Sequence, residues 1–303
     1  MDFQHAYIRS NGVTLHTVQA GPEDGPLLIL LHGFPEFWYG WRRQIPFLAQ
    51  AGYRVWAPDQ RGYNLSQKPP GVAAYNLDEL AADVVGLIDA AGREKAIVVG
   101  HDWGGAVAWW LANKQPERLE KVVALNAPHH AAMRRTIRHS PGQRLRSLYI
   151  LFFQIPWLPE ILLRAGNGWA LAGLMQASSR SGAFSPADVD VYRRAWSQPG
   201  ALAAMLHWYR AIRQARPQRL PSPRITVPTL LIWGARDVAF NRELAPLSVE
   251  LCDDGRLALI EEASHWVQHE EAERVNHLIH GFISPVTGRQ SPVDFQGRSH
   301  GAT

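Results

Sequence analysis

The sequence is poor in the features that staple, anchor or metallate a protein. Its 303 residues include one cysteine, Cys252, so an internal disulfide is excluded. Lysine stands only at Lys68, Lys95, Lys114 and Lys121, and the net charge of +4 is modest for this length. Arginine supplies the other positive charges, which reads as codon bias and leaves no footprint for nucleic acid. No phosphate-cradling glycine loop, zinc-ligand spacing or internal repeat is present, so neither a metal nor another cofactor is expected. Long apolar runs are missing too. The most apolar stretch, Leu148 to Leu163, is broken by Gln154, Pro156, Pro159 and Glu160. It is too short to span a bilayer, which argues against integral membrane association. Met1-Asp2-Phe3-Gln4-His5 lacks the basic and apolar regions of a signal peptide, making the cytoplasm the expected location.

What is present is a strand-turn-helix with an unusual centre. Ala96-Ile97-Val98-Val99 suits a strand buried on both faces, and Ala106 to Asn113 reads as a helix. Between them lies Gly100-His101-Asp102-Trp103-Gly104, the pattern of a nucleophile elbow, G-x-S-x-G, with aspartate at its centre. Taken alone, Asp102 would read as the cap of that helix. A second motif points to chemistry: Leu27 to Leu31 runs into His32-Gly33-Phe34-Pro35, a strand ending in an H-G-x-P turn. The backbone N–H groups of Phe34 and Trp103 would then form an oxyanion hole.

These segments, with Pro35-Glu36-Phe37-Trp38-Tyr39-Gly40-Trp41-Arg42 and Asp59-Gln60-Arg61-Gly62-Tyr63, resemble the epoxide hydrolase family of α/β hydrolases over residues 1–287. Two departures are visible, Gln60 where the family more often has leucine or methionine, and Asn64 where it more often has glycine. Asparagine tolerates a left-handed backbone, so the turn should survive. The resemblance implies an α/β-hydrolase fold, a mostly parallel central sheet flanked by helices with an inserted helical lid. The length suits one such enzyme. The helical periodicity of the long insertion supports the lid, since structureless loops of that size are rare. The expected division is a core of residues 1–128 and 225–287, a lid of 129–224, and a flexible tail of 288–303. The lid's arginines, Arg134 to Arg146 and Arg210 to Arg224, read as solvated helix faces, with only weak support for attraction to an anionic surface.

A base and its orienting acid follow in the chain order of the α/β hydrolases: Asp102, Asp237, His265. Asp237 lies just after the strand Thr229 to Trp233, and His265 just beyond the strand Leu257 to Ile260. An aspartate is already ionised near neutral pH and attacks without help, which frees the histidine to activate water against the resulting ester. Epoxide oxygen leaves as a basic alkoxide and needs an acid. The resemblance implies that Tyr149 and Tyr209, whose contexts look like the family's lid tyrosine motifs, donate to it. Tyr192 carries no such motif and reads as packing. The pocket is expected to be apolar, with Phe37, Trp38, Phe153, Trp157 and Trp266 beside the motifs.

The expected reaction is conversion of a lipophilic epoxide, with water, to a vicinal diol. A haloalkane or haloacetate dehalogenase using the same Asp102 is the alternative, and a non-catalytic binding protein is a further one. Nothing distinguishes a monomer from a homodimer.

Overall fold

Leu27–Leu31, Ala96–His101 and Thr229–Gly234 are buried along their whole length, as befits parallel strands covered on both faces. With five others they build one eight-stranded sheet. In chain order the strands are β1 (Gln4–Ser10), β2 (Val13–Ala20), β3 (Leu27–Leu31), β4 (Arg54–Pro58), β5 (Ala96–His101), β6 (Leu119–Leu125), β7 (Thr229–Gly234) and β8 (Gly255–Ile260). They lie in the order β1-β2-β4-β3-β5-β6-β7-β8. β2 pairs antiparallel with β1 and β4, and the other pairings are parallel. The computed structural model describes residues 3–214 and 222–284. The expected tail, and the lid arginines Arg216 and Arg219, lie outside the described residues.

Alternation along the strands divides the core in two. Ile29, Leu31, Val98 and Val122 face one cluster, packed by α2 (Leu77–Ala90) and α3 (Trp103–Lys114). Leu28, Leu30, Val99 and Val123 face the other, packed by α1 (Gln44–Gln50) and α12 (Ala272–Ile283). Leu→Ala at such fully buried positions costs about 2–5 kcal/mol. The sheet is therefore a stiff platform for whatever stands on its edge. α2 starts on Asn76, whose side chain accepts from the N–H groups of Asp78 and Glu79.

Between β6 and β7 the described residues form six helices: α4 (His130–His139), α5 (Pro141–Arg146), α6 (Leu148–Phe152), α7 (Leu158–Ala177), α8 (Pro186–Trp196) and α9 (Ala201–Gln214). α7 bends at Ala165–Gly168, where Gly166, Asn167 and Gly168 all have positive φ. The insertion is fastened to loops at the sheet's carboxyl edge by specific hydrogen bonds. Trp208 Nε1 donates to the Arg61 carbonyl (3.0 Å), Trp196 Nε1 to that of Pro35 (2.6 Å), and Arg146 to those of Asp237 and Val238 (3.1 and 2.7 Å). α10 (Leu244–Val249) precedes β8, and α11 (Val267–Glu270) precedes α12.

Candidate active site

Four parallel strands, β3, β5, β7 and β8, end at one region of the sheet edge, and each is followed there by a residue that the sequence singled out. After β5 comes Asp102, with φ 49° and ψ −117°. A non-glycine residue in such a conformation is strained, and the strain is sustained because neighbours on both sides fix it. The Asp102 N–H donates to the Leu125 carbonyl (3.2 Å) and its own carbonyl accepts from Ala106 (2.9 Å), starting α3. Glycine is required at the flanks: a Cβ on Gly104 would run into the Leu31 carbonyl, and one on Gly33 into the Asp102 side chain.

β3 delivers the Phe34 N–H, which donates to Asp102 Oδ1 at 2.8 Å. That loop is braced from behind by Gln60, whose side chain donates to the His32 carbonyl (2.5 Å) and whose N–H donates to His32 Nε2 (3.0 Å). Thus the unusual Gln60 has a structural task, and Asn64 has the expected left-handed backbone, φ 38°. The Trp103 N–H opens α3, where the first-turn N–H groups have no partner within the helix.

β7 and β8 deliver the pair Asp237 and His265, joined by a 2.8 Å contact between Oδ2 and Nδ1. Asp237 is buried and fully engaged. Its Oδ2 also accepts from Asn126 Nδ2 (2.7 Å), and Oδ1 accepts from the N–H groups of Ala239 (2.7 Å) and Phe240 (3.1 Å). Burial alone would raise its pKa. The charge of His265 and the hydrogen bonds from His265, Asn126 and Ala239 outweigh that and hold the carboxyl below its usual range. For His265 burial works downward, yet Asp237 and then Asp102 carry its pKa up to about 9. His265 Nε2 stands 3.8 Å from Asp102 Oδ2, close enough for attraction and too far for a hydrogen bond.

Over this group the insertion lays an aromatic cluster. The Tyr209 ring, on α9, packs edge-on against Phe34 (5.3 Å between centroids), Trp103 (5.1 Å), Phe153 (5.0 Å) and Tyr149 of α6 (5.9 Å). Burial, reinforced by the negative charge of Asp102, raises the pKa of both Tyr149 and Tyr209 far above that of a free phenol. Both therefore remain protonated donors across the physiological range. Among the described residues no group of His, Cys, Asp and Glu side chains is arranged to hold a metal ion.

Comparison with known proteins agrees with this geometry. Residues 26–272 match the family described as alpha/beta hydrolase fold. A Bacillus subtilis protein, AB hydrolase superfamily protein YfhM, is 51% identical across 90% of this chain and 95% of its own. Epoxide hydrolase 1 of Caenorhabditis elegans is 40% identical across 92% of this chain and 70% of its own. The solved structure of Bacillus megaterium epoxide hydrolase in complex with an inhibitor superposes with a TM-score of 0.84 at 32% identity, over 91% of this chain and 99% of that one. The chain belongs to the epoxide hydrolase family of α/β-hydrolase-fold proteins.

Within this family member, the expected pocket aromatics divide. Phe153 joins the cluster around Tyr209, and Trp266 packs edge-on to the His265 ring (5.2 Å). Phe37 instead packs with Trp38, Tyr39 and Tyr192, while Trp38 meets Phe3 and His5 beside β1. Trp157 is not brought to the site. It is 77% exposed at the turn before α7, where a positive φ of 60° turns the chain.

Tyr192 is more than packing. Its hydroxyl donates to Glu36 Oε1 at 2.6 Å. Glu36, buried, also accepts from Gln268 Nε2 (2.8 Å), meets His269 Nε2 (2.6 Å), and lies 3.3 Å from His101 Nδ1. Burial would raise the Glu36 pKa, but the charges and hydrogen bonds of His269 and His101 hold it well below the usual carboxylate range. His101 Nε2 in turn meets the His265 carbonyl at 2.9 Å, an arrangement that requires a proton on Nε2. Asn126, with its side-chain oxygen accepting from the Gly234 N–H (2.8 Å), is a second partner that sequence reasoning missed. Position 36 and position 101 lie inside motifs that were legible. Nothing local marks Asn126 or Tyr192.

Proposed function

We propose that this protein is an epoxide hydrolase that opens a lipophilic epoxide through an ester on Asp102. The observation that carries the reading is the carboxylate of Asp102 at the strained turn, beneath an aromatic cluster whose two phenols, Tyr149 and Tyr209, are held protonated by burial and by its charge. A departing halide needs no acid, whereas an epoxide oxygen does.

The two oxygens of Asp102 have different tasks. Oδ1 accepts the Phe34 N–H, so Oδ2, the oxygen nearer His265, attacks the epoxide carbon as its C–O bond breaks. Tyr149 and Tyr209 donate to the ring oxygen as it takes up the electron pair. Neutral His265 then removes a proton from water, which adds to Cγ of the ester. Negative charge gathers on Oδ1, facing the N–H groups of Phe34 and Trp103. Collapse breaks the Cγ–Oδ2 bond, the departing oxygen takes the proton from His265, and Asp102, left as a carboxylic acid holding one water oxygen, returns its remaining proton to the phenolate that protonated the epoxide oxygen. Asp237 holds the imidazole in register and stabilises its charged form. The insertion acts as a lid that excludes water and shapes the pocket. Cys252, buried and without a disulfide, suits a reducing compartment such as the cytoplasm.

Diol formation from styrene oxide and longer alkyl epoxides, by wild type beside freshly prepared Asp102→Asn, tests the reading. Wild type alone should form diol. Equal turnover by both proteins would remove Asp102 from the mechanism. Halide release from haloalkanes or haloacids without diol formation would replace the epoxide reading with the dehalogenase one.

A further inference from the structure

Fourteen large apolar side chains stand exposed among the described residues, and ten of them fall between residues 145 and 174, within the insertion. Leu145, Leu148 and Leu151 recur at three-residue intervals through α5 and α6, and Leu158, Ile161 and Leu162 follow helical spacing at the start of α7. Two tryptophans, Trp157 (77% exposed) and Trp169 (74%), stand among them. Soluble monomers rarely leave so much apolar surface in one region without a partner for it. Apolar side chains point both ways here: Leu163, Leu171 and Met175 of α7 are buried, while Leu158, Ile161 and Leu162 at its start face outward. α6 shows this at its smallest scale: Tyr149 joins the aromatic cluster over the site, while Leu148 and Leu151 on the same short helix face solvent.

Charge identifies the partner. Residues 129–180 contain seven arginines and a single carboxylate, Glu160, a net of +6 in a chain whose total is +4. The rest of the chain is therefore net negative by two, and the positive surplus falls within the stretch of sequence that carries most of the exposed leucines and tryptophans. Glu160 is already paired, with Arg210 at 2.6 Å. Arg134, Arg135, Arg138, Arg144 and Arg164 are exposed, and among the described residues they enter no ion pair. A second copy meeting this surface through a two-fold axis would bring its own arginines against these. An anionic bilayer offers opposite charge at the depth of the arginines and hydrocarbon at the depth of the leucines, with tryptophan suited to the boundary.

We propose that the outer surface of α5–α7 docks reversibly on an anionic lipid bilayer, placing Tyr149 one helix thickness from a reservoir in which lipophilic molecules dissolve. Among the described residues no helix is long and apolar enough to cross a membrane, so the contact is peripheral. Docking requires no turnover, and its test stands whether or not epoxides prove to be the substrates.

The test is co-sedimentation of the full chain with vesicles of phosphatidylcholine alone and of equal parts phosphatidylcholine and phosphatidylglycerol. Wild type should sediment with the anionic vesicles, lose that binding as salt is raised, and stay in the supernatant with the neutral ones. Arg144→Gln with Arg164→Gln should weaken binding about 25-fold, from roughly fivefold for each arginine near an anionic surface. Trp157→Ser with Ile161→Ser should release the protein while leaving its circular dichroism and its hydrolysis of a water-soluble epoxide unchanged. Wild type that stays in the supernatant with anionic vesicles would overturn the proposal, as would either double variant that binds like wild type. A concentration-dependent wild-type dimer that Trp157→Ser with Ile161→Ser abolishes would assign the surface to a second copy instead.

Discussion

Removing the charge of Asp102 should loosen the proton on His265. In the resting protein the imidazole lies between two carboxylates, Asp237 at 2.8 Å and Asp102 at 3.8 Å, and together they raise its pKa to about 9. Most free molecules at neutral pH therefore carry an imidazolium, which cannot serve as a base. Esterification of Asp102 cancels one of the two charges. At about 4 Å an ion pair is worth roughly 1 kcal/mol in water and about 4 kcal/mol at an effective dielectric of 20. With about 1.4 kcal/mol per pH unit, the titration of His265 should fall by roughly 1 to 3 pH units. The ester would thus generate its own base in the step that needs it. Asp102→Asn imitates the neutral ester, and imidazole nitrogen NMR of wild type and variant reads both midpoints directly. An unchanged midpoint would refute the argument. The same linkage sets a stability profile of definite sign. A raised folded pKa contributes stability that is fully present below pH 6.5 and is lost as pH climbs through about 9. Denaturant midpoints should accordingly fall over that window in wild type, and less steeply in Asp102→Asn.

Substituting His265→Gln should permit attack and block hydrolysis, so that intact-protein mass spectrometry finds an adduct equal to one epoxide; its absence with a reactive substrate would give His265 a task in the first step. Tyr149→Phe with Tyr209→Phe should slow ester formation at least 10²-fold, the low end for a general acid, in single-turnover kinetics. Unchanged rates would make both phenols packing residues. Gly33→Ala drives a methyl group into the Asp102 side chain and should abolish turnover with thermal stability lowered, whereas an active variant would show that the elbow can shift. Tyr192→Phe deletes a hydrogen bond to a buried carboxylate and should cost about 2 kcal/mol of stability, measured by denaturant titration.

Local sequence carried the fold and the residues that meet at the sheet edge because each is encoded within a few residues. Apolar runs too short for helices marked β3, β5 and β7, and each leads straight into a motif or a single charged residue at the sheet edge. Chain order then paired Asp237 with His265, and the structure joins them at 2.8 Å. The insertion's helical character was legible from periodicity alone. Direction was not. Hydropathy could not say that Trp157 turns to solvent, since that depends on a positive φ at one position, nor that Trp38 leans toward Phe3 and His5 instead of the site.

The least legible layer is the one that connects the insertion to the base. Tyr192 and Glu36 are 156 residues apart, yet the 2.6 Å bond between them is buried, and Glu36 reaches His265 only through His101 and a backbone carbonyl. Tyr192 has an innocuous local context, a tyrosine in a helix, and the motifs that contain Glu36 and His101 do not say that the two side chains meet. Their meaning comes from burial, because a carboxylate removed from water must be satisfied by donors, and the donors available here come from α8, α11 and β5. Seating α8 on the core thus completes the coordination of Glu36, and that carboxylate in turn fixes the histidine beneath His265. A helix of the insertion and His265 are consequently parts of one hydrogen-bonded assembly. Loss of the Tyr192 hydroxyl should therefore alter the pH dependence of ester hydrolysis as well as stability, whereas a merely structural tyrosine would change stability alone.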